Sequence, residues 1–150
     1  MDKAFQPRYN AFEQKVRDSF SRQDIMHTLG ATLDTVNPGK VEIRLPFQQH
    51  ITQQHGFVHG GVVATVLDSA CGYAALSLMG EQDGILSIEF KVNFLAPAQG
   101  ETFIAIGQVR KPGRTISVCE ADFLALGDEQ RKLIATMTAT MMSVATQGAF

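Results

Sequence analysis

The chain of 150 residues has no tryptophan, two tyrosines, two cysteines and few charged residues. Charged side chains make up 19% of it, the formal net charge is −2, and no segment concentrates basic residues. This argues against a surface for nucleic acid or for an anionic membrane. Cys71 and Cys119 are far apart and form no CxxC pair, which is typical of free thiols in a reducing compartment. The first residues lack the apolar core of a signal peptide, so we expect a cytoplasmic protein.

One segment, residues 60–79, is almost without charge, since Asp68 is its only formally charged residue. Its length approaches that of a membrane span. The mid-segment carboxylate and the absence of a basic flank argue against membrane insertion. A helix that is apolar on nearly every side is also typical of one enclosed by its own protein, and this is our prediction.

Hydrophobic residues make up 45% of the chain, enough for one well-filled core. We therefore predict a single domain over residues 1–150, with residues 1–24 as an N-terminal helical extension. Within that extension, residues 9–22 carry apolar side chains at helical spacing.

Most of the remaining chain has the pattern of β-strands. Alternation is clearest from Leu86 to Phe94, a stripe that we interpret as core. The turn Asn37-Pro38-Gly39 predicts a hairpin between its two flanking strands. The predicted strands span residues 28–36, 40–47, 86–94, 102–110, 115–126 and 133–144.

Tight turns between successive strands predict an antiparallel sheet. About six strands and one strongly apolar helix predict an α+β fold in which the sheet curls around the helix. Such a sheet has open edges, and pairing with a second copy would close one of them, so we expect a dimer.

Two features of the apolar segment suggest chemistry. Gly60 and Gly61 at its start would expose helix N–H groups to a polarised oxygen such as an oxyanion, although glycines there can also serve close packing. Asp68 inside the segment would be a base or nucleophile in a dry pocket, or a buried acid that hydrogen-bonds a neighbouring loop.

Two other candidates for chemistry are weaker. His55 and His59 are four residues apart, but no acid or cysteine completes a zinc ligand set, so we expect no metal. Cys71 lies in so apolar a segment that its thiol should be un-ionised and inert.

The motif Q-x-H-G-x-x-H-G-G over residues 53–61, followed by Asp68 and by E-F-K-V-N-F-L-x-P-A over residues 89–98, resembles a known family. It is similar to the hotdog-fold acyl-CoA thioesterases of the phenylacetate-pathway (PaaI-like) type. That resemblance covers about residues 25–145. It implies a long helix wrapped by an antiparallel sheet, assembled as a homodimer or a dimer of dimers.

The resemblance also implies roles for individual residues. Asp68 would be the catalytic carboxylate, as nucleophile or as base for water, and the Gly60 N–H would be the oxyanion donor. Gln53 would lie near the thioester carbonyl or the attacking water, and Ser87 would help to hold that water. Residues implied to contact the substrate or its coenzyme A are His59, Gly61, Phe94, Pro97, Lys111, Gly113, Arg114 and Thr115.

The turn at residues 111–115 is basic and contains glycine, which suits phosphates, but an ordinary solvated hairpin has the same composition. Gly60 and Asp68 are eight residues apart, or about 12 Å along one helix, so they cannot both reach one thioester carbon. This agrees with the resemblance, which implies a site shared between subunits.

The function that follows is hydrolysis of an acyl-CoA to a free acid and coenzyme A, without a metal or bound cofactor. We expect a medium- to long-chain fatty acyl group. An aryl-CoA thioesterase, a dehydratase and a non-catalytic acyl-CoA-binding protein remain alternatives, because one fold hosts several functions.

Overall fold

The computed structural model describes residues 4–146. These residues form three α-helices and six β-strands, in the order α1 Phe12–Ser21, α2 Asp24–Leu29, β1 Thr32–Asn37, β2 Lys40–Pro46, α3 Gly60–Leu76, β3 Asp83–Phe94, β4 Thr102–Lys111, β5 Ile116–Leu126 and β6 Arg131–Ala145. A single 3₁₀ turn, Gln49–Ile51, lies between β2 and α3.

The six strands form one sheet in the order β1-β2-β4-β5-β6-β3, and every neighbouring pair is antiparallel. The edges are β1 and β3. Helix α3 packs against β2, β3, β4, β5 and β6, so the sheet wraps the helix. The predicted α+β fold with six antiparallel strands is confirmed.

Helix α3 is buried along most of its length, as its composition predicts. It has 17 residues, fewer than the ~20 that a bilayer requires. Within residues 4–146, no helix is long and apolar enough to cross a membrane.

Close approach of α3 to the sheet depends on Gly107 in β4. A Cβ atom at this position would lie 2.2 Å from the carbonyl oxygen of Ala70 and 2.9 Å from the amide nitrogen of Cys71. Both atoms belong to the backbone of α3 and cannot move without shifting the helix. Glycine is therefore required where the helix crosses β4.

Gly107→Ala is expected to destabilise the protein by about 1–3 kcal/mol or more, because overpacking against backbone displaces the helix. Gly72→Ala is the matched control, since a Cβ there would meet only Ile85 Cγ2 at 3.9 Å. That variant should be neutral or stabilised by up to ~1 kcal/mol, because alanine is the better helix former. Urea unfolding measures both, and equal stability of the two variants would contradict this account.

The N-terminal part differs from its prediction in one element. The expected helix over residues 9–22 is confirmed in most of its range by α1. A second helix, α2, was not predicted; its last two residues overlap the strand predicted from residue 28, and that strand, β1, begins at Thr32. Gly30, at φ +70°, ends α2 with its N–H bonded to the carbonyls of His27 and Met26. The helical extension thus ends at Leu29 and not at residue 24. Helix α2 was missed because six residues are too few to show a helical period.

The prediction that the stripe from Leu86 to Phe94 is core is wrong. Leu86, Ile88, Phe90 and Phe94 are 44%, 52%, 44% and 55% exposed. Their strand, β3, is an edge of the sheet, so no described strand covers its outer side. Alternation of apolar and polar residues predicts a strand, but it does not predict whether that strand lies at the centre or at the edge of the sheet.

A bulge at Ile88 also breaks the alternation. Ser87 lies opposite Met141 and Glu89 lies opposite Thr140, so Ile88 has no partner in β6. Because of the extra residue, odd-numbered residues after Ile88 face the opposite side of the sheet from odd-numbered residues before it. As a result, the Ser87 hydroxyl lies on the helix side and contacts the buried Met141 sulfur at 3.4 Å, while Glu89 lies on the outer side.

Candidate active site

The start of α3 has one unused hydrogen-bond donor. The His59 side chain caps the helix, with Nδ1 accepting from the Gly61 N–H at 2.8 Å. The His59 carbonyl accepts from the N–H groups of Val62 and Val63 at 2.9 and 3.1 Å. Within residues 4–146, the Gly60 N–H has no acceptor, so Gly60 offers a free donor at the positive end of the helix dipole.

This arrangement bears on two of the predicted substrate contacts. The Gly61 N–H is already taken by His59, so it is not a second free oxyanion donor. In that bond the His59 ring acts through Nδ1 as the acceptor. In the structure, His59 acts on the site by capping the helix that carries Gly60.

Gln53 is held by the loop that precedes α3. Its Oε1 accepts from the backbone N–H groups of His55 and Phe57 at 2.5 and 3.3 Å. These two bonds fix the amide orientation and leave Nε2 as a donor. Gln53 and Gly60 line one pocket of about 460 Å³ together with Phe94 and Pro97.

Phe94 lies directly over the helix start. Its ring atom Cζ is 3.1 Å from the position that a Cβ of Gly60 would occupy. The structure thus brings four predicted residues, Gly60, Gln53, Phe94 and Pro97, into one pocket. We refer to it as the glycine pocket.

Asp68 lies in a different pocket, two turns further along α3. Its Oδ1 accepts a hydrogen bond from the Ser87 hydroxyl at 2.6 Å. Within the described residues its Oδ2 has no hydrogen-bond partner, so one carboxylate oxygen is free to react. This pocket, the aspartate pocket, has a volume of about 250 Å³ and is lined by Ser19, Gln23, Asp68, Ser69, Gly72, Tyr73, Ile85, Leu86 and Ser87.

Part of this lining was not predicted from the sequence. Ser19 and Gln23 come from the N-terminal helical region, far from Asp68 in the chain, and no local motif marks them. Tyr73, by contrast, is five residues beyond Asp68 on the same helix, and this spacing is the signal that could have marked it.

The basic turn lies elsewhere in the same chain. Gly113 and Arg114 line a pocket of about 300 Å³ with Arg8 and Leu78, beyond the C-terminal end of α3. Because α3 is about 25 Å long, this turn is remote from the Gly60 of its own chain. Lys111, Arg114 and Thr115 are exposed, as a phosphate contact requires.

The two cysteines are buried and unpaired. Burial raises the pKa of the Cys71 thiol well above its usual range, and burial raises that of Cys119 to about 12. Both are therefore protonated at neutral pH, in agreement with the expectation that the Cys71 thiol is un-ionised. Within residues 4–146, no three His, Cys, Asp or Glu side chains form a potential metal-binding cluster.

Residues 55–132 match the family model described as the thioesterase superfamily. The chain belongs to this superfamily. A solved thioesterase family protein from Silicibacter pomeroyi is 57% identical to this thioesterase, with a TM-score of 0.87 over 89% of this chain and 98% of that one. The predicted hotdog-type fold and thioester hydrolysis are both confirmed.

Two further proteins are similar to this thioesterase. The E. coli PaaI protein from the phenylacetic acid degradation operon is 19% identical, with a TM-score of 0.80 over 89% of this chain and 94% of that chain, a likeness of fold. The E. coli medium/long-chain acyl-CoA thioesterase YigI is 29% identical over 98 residues, which are 57% of this chain and 61% of the relative.

Proposed function

We propose that this thioesterase hydrolyses an acyl-CoA to the free acid and coenzyme A at a site that two subunits share. The observation that carries the proposal is that the proposed catalytic groups of one chain lie in two separate pockets. The free Gly60 N–H lies in one pocket, and the Asp68–Ser87 pair lies in another, about 12 Å further along the same helix.

The two pockets lie at opposite ends of the exposed edge strand. Leu86 and Ser87, near the start of β3, line the aspartate pocket, and Phe94, at its end, lines the glycine pocket. Strand β3 could pair antiparallel with β3 of a second subunit, with the two-fold axis near Phe90 and Lys91. This pairing would place the start of one strand beside the end of the other. Each aspartate pocket would then meet the partner's glycine pocket.

The exposed side chains of β3 support this pairing. An unpaired strand with large apolar side chains is a surface that proteins normally cover. A two-fold axis through the strand would cover it on both copies with one self-complementary interface. We therefore propose a homodimer, or a dimer of such dimers.

In the shared site, the thioester carbonyl oxygen accepts from the Gly60 N–H and from Gln53 Nε2 of one subunit. Asp68 of the other subunit either attacks the carbonyl carbon or removes a proton from the attacking water. Negative charge develops on the carbonyl oxygen, where the two donors stabilise it. The carbon–sulfur bond then breaks, and the thiolate of coenzyme A leaves and takes up a proton. If water attacks, the free acid forms directly; if Asp68 attacks, the acyl group is left on its carboxylate as an anhydride, which water then hydrolyses to the free acid and the regenerated Asp68. The proposal includes no metal and no cofactor besides the substrate's own coenzyme A.

The acyl group we propose is a medium- to long-chain fatty acid. The name of the relative YigI, a medium/long-chain acyl-CoA thioesterase, supports it. An aryl acyl group is the second candidate, since Ser19, Gln23, Ser69 and Tyr73 give the aspartate pocket a polar lining that suits a ring substituent.

Release of coenzyme A thiol from octanoyl-CoA, palmitoyl-CoA and phenylacetyl-CoA, detected with a disulfide dye, tests the proposal. We expect turnover of at least one of them. Tight binding of all three without thiol release would instead indicate an acyl-CoA-binding protein. Protein carrying Asp68→Asn serves as the background control.

The basic turn gives a prediction about the coenzyme. If Arg114 contacts a phosphate, Arg114→Ala should raise KM for an acyl-CoA about three- to tenfold, the effect of a ~1 kcal/mol exposed charge-assisted contact. KM for the corresponding acyl-pantetheine, which lacks the nucleotide, should not change. Arg131→Ala, an exposed arginine at the start of β6, is the control. An equal rise in KM for both substrates would assign the turn to structure.

A further inference from the structure

The end of the aspartate pocket is a cluster of polar side chains, supplied by α3 and by the N-terminal helical region. The hydroxyls of Ser69 and Tyr73 donate to Oε1 of Gln23 at 3.3 and 3.5 Å. The Ser19 hydroxyl donates to the Tyr73 oxygen at 3.4 Å. None of these residues belongs to the proposed catalytic groups.

Gln23 has one hydrogen-bonding group to spare. Its Oε1 already accepts twice, but its Nε2 has no acceptor within residues 4–146. In the same part of the chain, no buried side-chain nitrogen or oxygen lacks a partner, so this Nε2 is accessible rather than buried. Burial raises the pKa of Tyr73, so the phenol keeps the O–H that it donates to Gln23 Oε1. The cluster therefore offers a donor to whatever fills the pocket.

The path from Asp68 to this cluster is open. Gly72 lies one helical turn beyond Asp68 on the same face, and even a Cβ there would have only Ile85 within 4 Å. Tyr73 is five residues beyond Asp68, about 7.5 Å along the helix axis. That distance is about the length of a hexanoyl group measured from its carbonyl carbon.

We infer that Gln23 and Tyr73 form the far end of the acyl pocket, which narrows the proposed acyl range to its medium-chain end. They select acyl groups about as long as hexanoyl that carry an oxygen acceptor such as a hydroxyl at that end. The inference rests on the proposed acyl-CoA hydrolysis. An acyl chain that ends in a methyl group would displace the water bound to Gln23 Nε2 and leave this N–H group without a hydrogen bond. A site that hydrogen-bonds a substrate hydroxyl therefore discriminates against a substrate without the hydroxyl. Gln23 and Tyr73 are thus specificity residues and take no part in the chemical step.

The test compares two substrates that differ only at this end, hexanoyl-CoA and 6-hydroxyhexanoyl-CoA. The measured quantity is the ratio of their kcat/KM values, the hydroxylated substrate over the plain one. For the unmodified enzyme we expect a ratio of about five or more, which one net hydrogen bond provides. Because both substrates are measured with the same protein, any general effect of a substitution on folding or on the catalytic groups cancels in this ratio.

Gln23→Leu and Tyr73→Phe should each bring the ratio close to one, the first because it removes Nε2 and the second because it removes the O–H that holds the Gln23 amide in place. Tyr73→Phe keeps the ring that packs against Phe20 at a centroid distance of 5.8 Å, so its fold is preserved. Gln14→Leu, the same substitution on the exposed face of α1, should keep the original ratio.

The outcomes separate the two proposals. Hydrolysis of both substrates with a ratio near one in the unmodified enzyme, or a ratio that neither variant changes, overturns this inference alone. Failure to hydrolyse these substrates and every acyl-CoA of the earlier panel overturns the proposed function and the inference with it.

Discussion

Asp68→Asn is expected to lower kcat for acyl-CoA hydrolysis by about 10²-fold or more, with the protein still folded. The amide is nearly isosteric, and its oxygen can still accept the hydrogen bond that Ser87 donates to Asp68 at 2.6 Å. What it loses is the ability to attack a carbonyl or to take a proton from water. The measurement is thiol release, with thermal unfolding followed in parallel.

The matched control is Asp122→Asn, which changes an exposed carboxylate of β5 in the same way. This control should keep full activity. Near-normal turnover by a well-folded Asp68→Asn protein would remove Asp68 from the mechanism and leave the Asp68–Ser87 pair as a structural contact between α3 and β3.

Two inactive variants, Gly60→Pro and Asp68→Asn, should restore activity when they are unfolded and refolded together. In a shared site, each mixed dimer has one site with both changes and one site with neither. Random pairing makes about half of the dimers mixed. Activity should therefore recover to about a quarter of that of the unmodified enzyme.

The structure supports the choice of proline. Gly60 is the first residue of α3, a position that tolerates proline because its N–H has no intrahelical partner. His59 has φ −59° and ψ 137°, the extended conformation that a residue before proline prefers. The ring would press on Phe94, which is exposed and can move.

The recovered activity must be compared with the amount of mixed dimer. If the two variants carry different tags, that amount can be measured directly. Each variant refolded alone is the control and should stay inactive. If mixed dimers form and show no more activity than these controls, Gly60 and Asp68 do not act across the interface, and the shared site is wrong.

Local patterns in the sequence were sufficient for much of this fold. Alternation in β2 and β3, the Pro38-Gly39 turn and the long apolar segment predicted their elements because each depends on neighbouring residues only. Asp68 and Gly60 could be proposed for the same reason, since an acid within an apolar helix and glycines at its start are unusual wherever they occur. Helix α2 was missed because six residues hold too little periodicity.

Other features depend on pairing between distant parts of the chain. β3 pairs with β6, the last strand, and this makes β3 an edge with its apolar residues exposed. The bulge at Ile88 exists only in the register with β6, and it decides that the Ser87 hydroxyl reaches Asp68. No pattern within β3 contains that information.

The sequence by itself therefore determined the elements and the chemical groups, because periodicity, turn residues and an isolated acid act through local geometry. Tertiary structure alone decided how those groups are distributed. It placed Phe94 of the edge strand at the Gly60 end of α3, and it brought Gln23 from the N-terminal region to the pocket of Asp68. The physical reason is that strand order, register and helix packing are set by contacts between residues far apart in the chain, where the free energy of the whole core selects the arrangement.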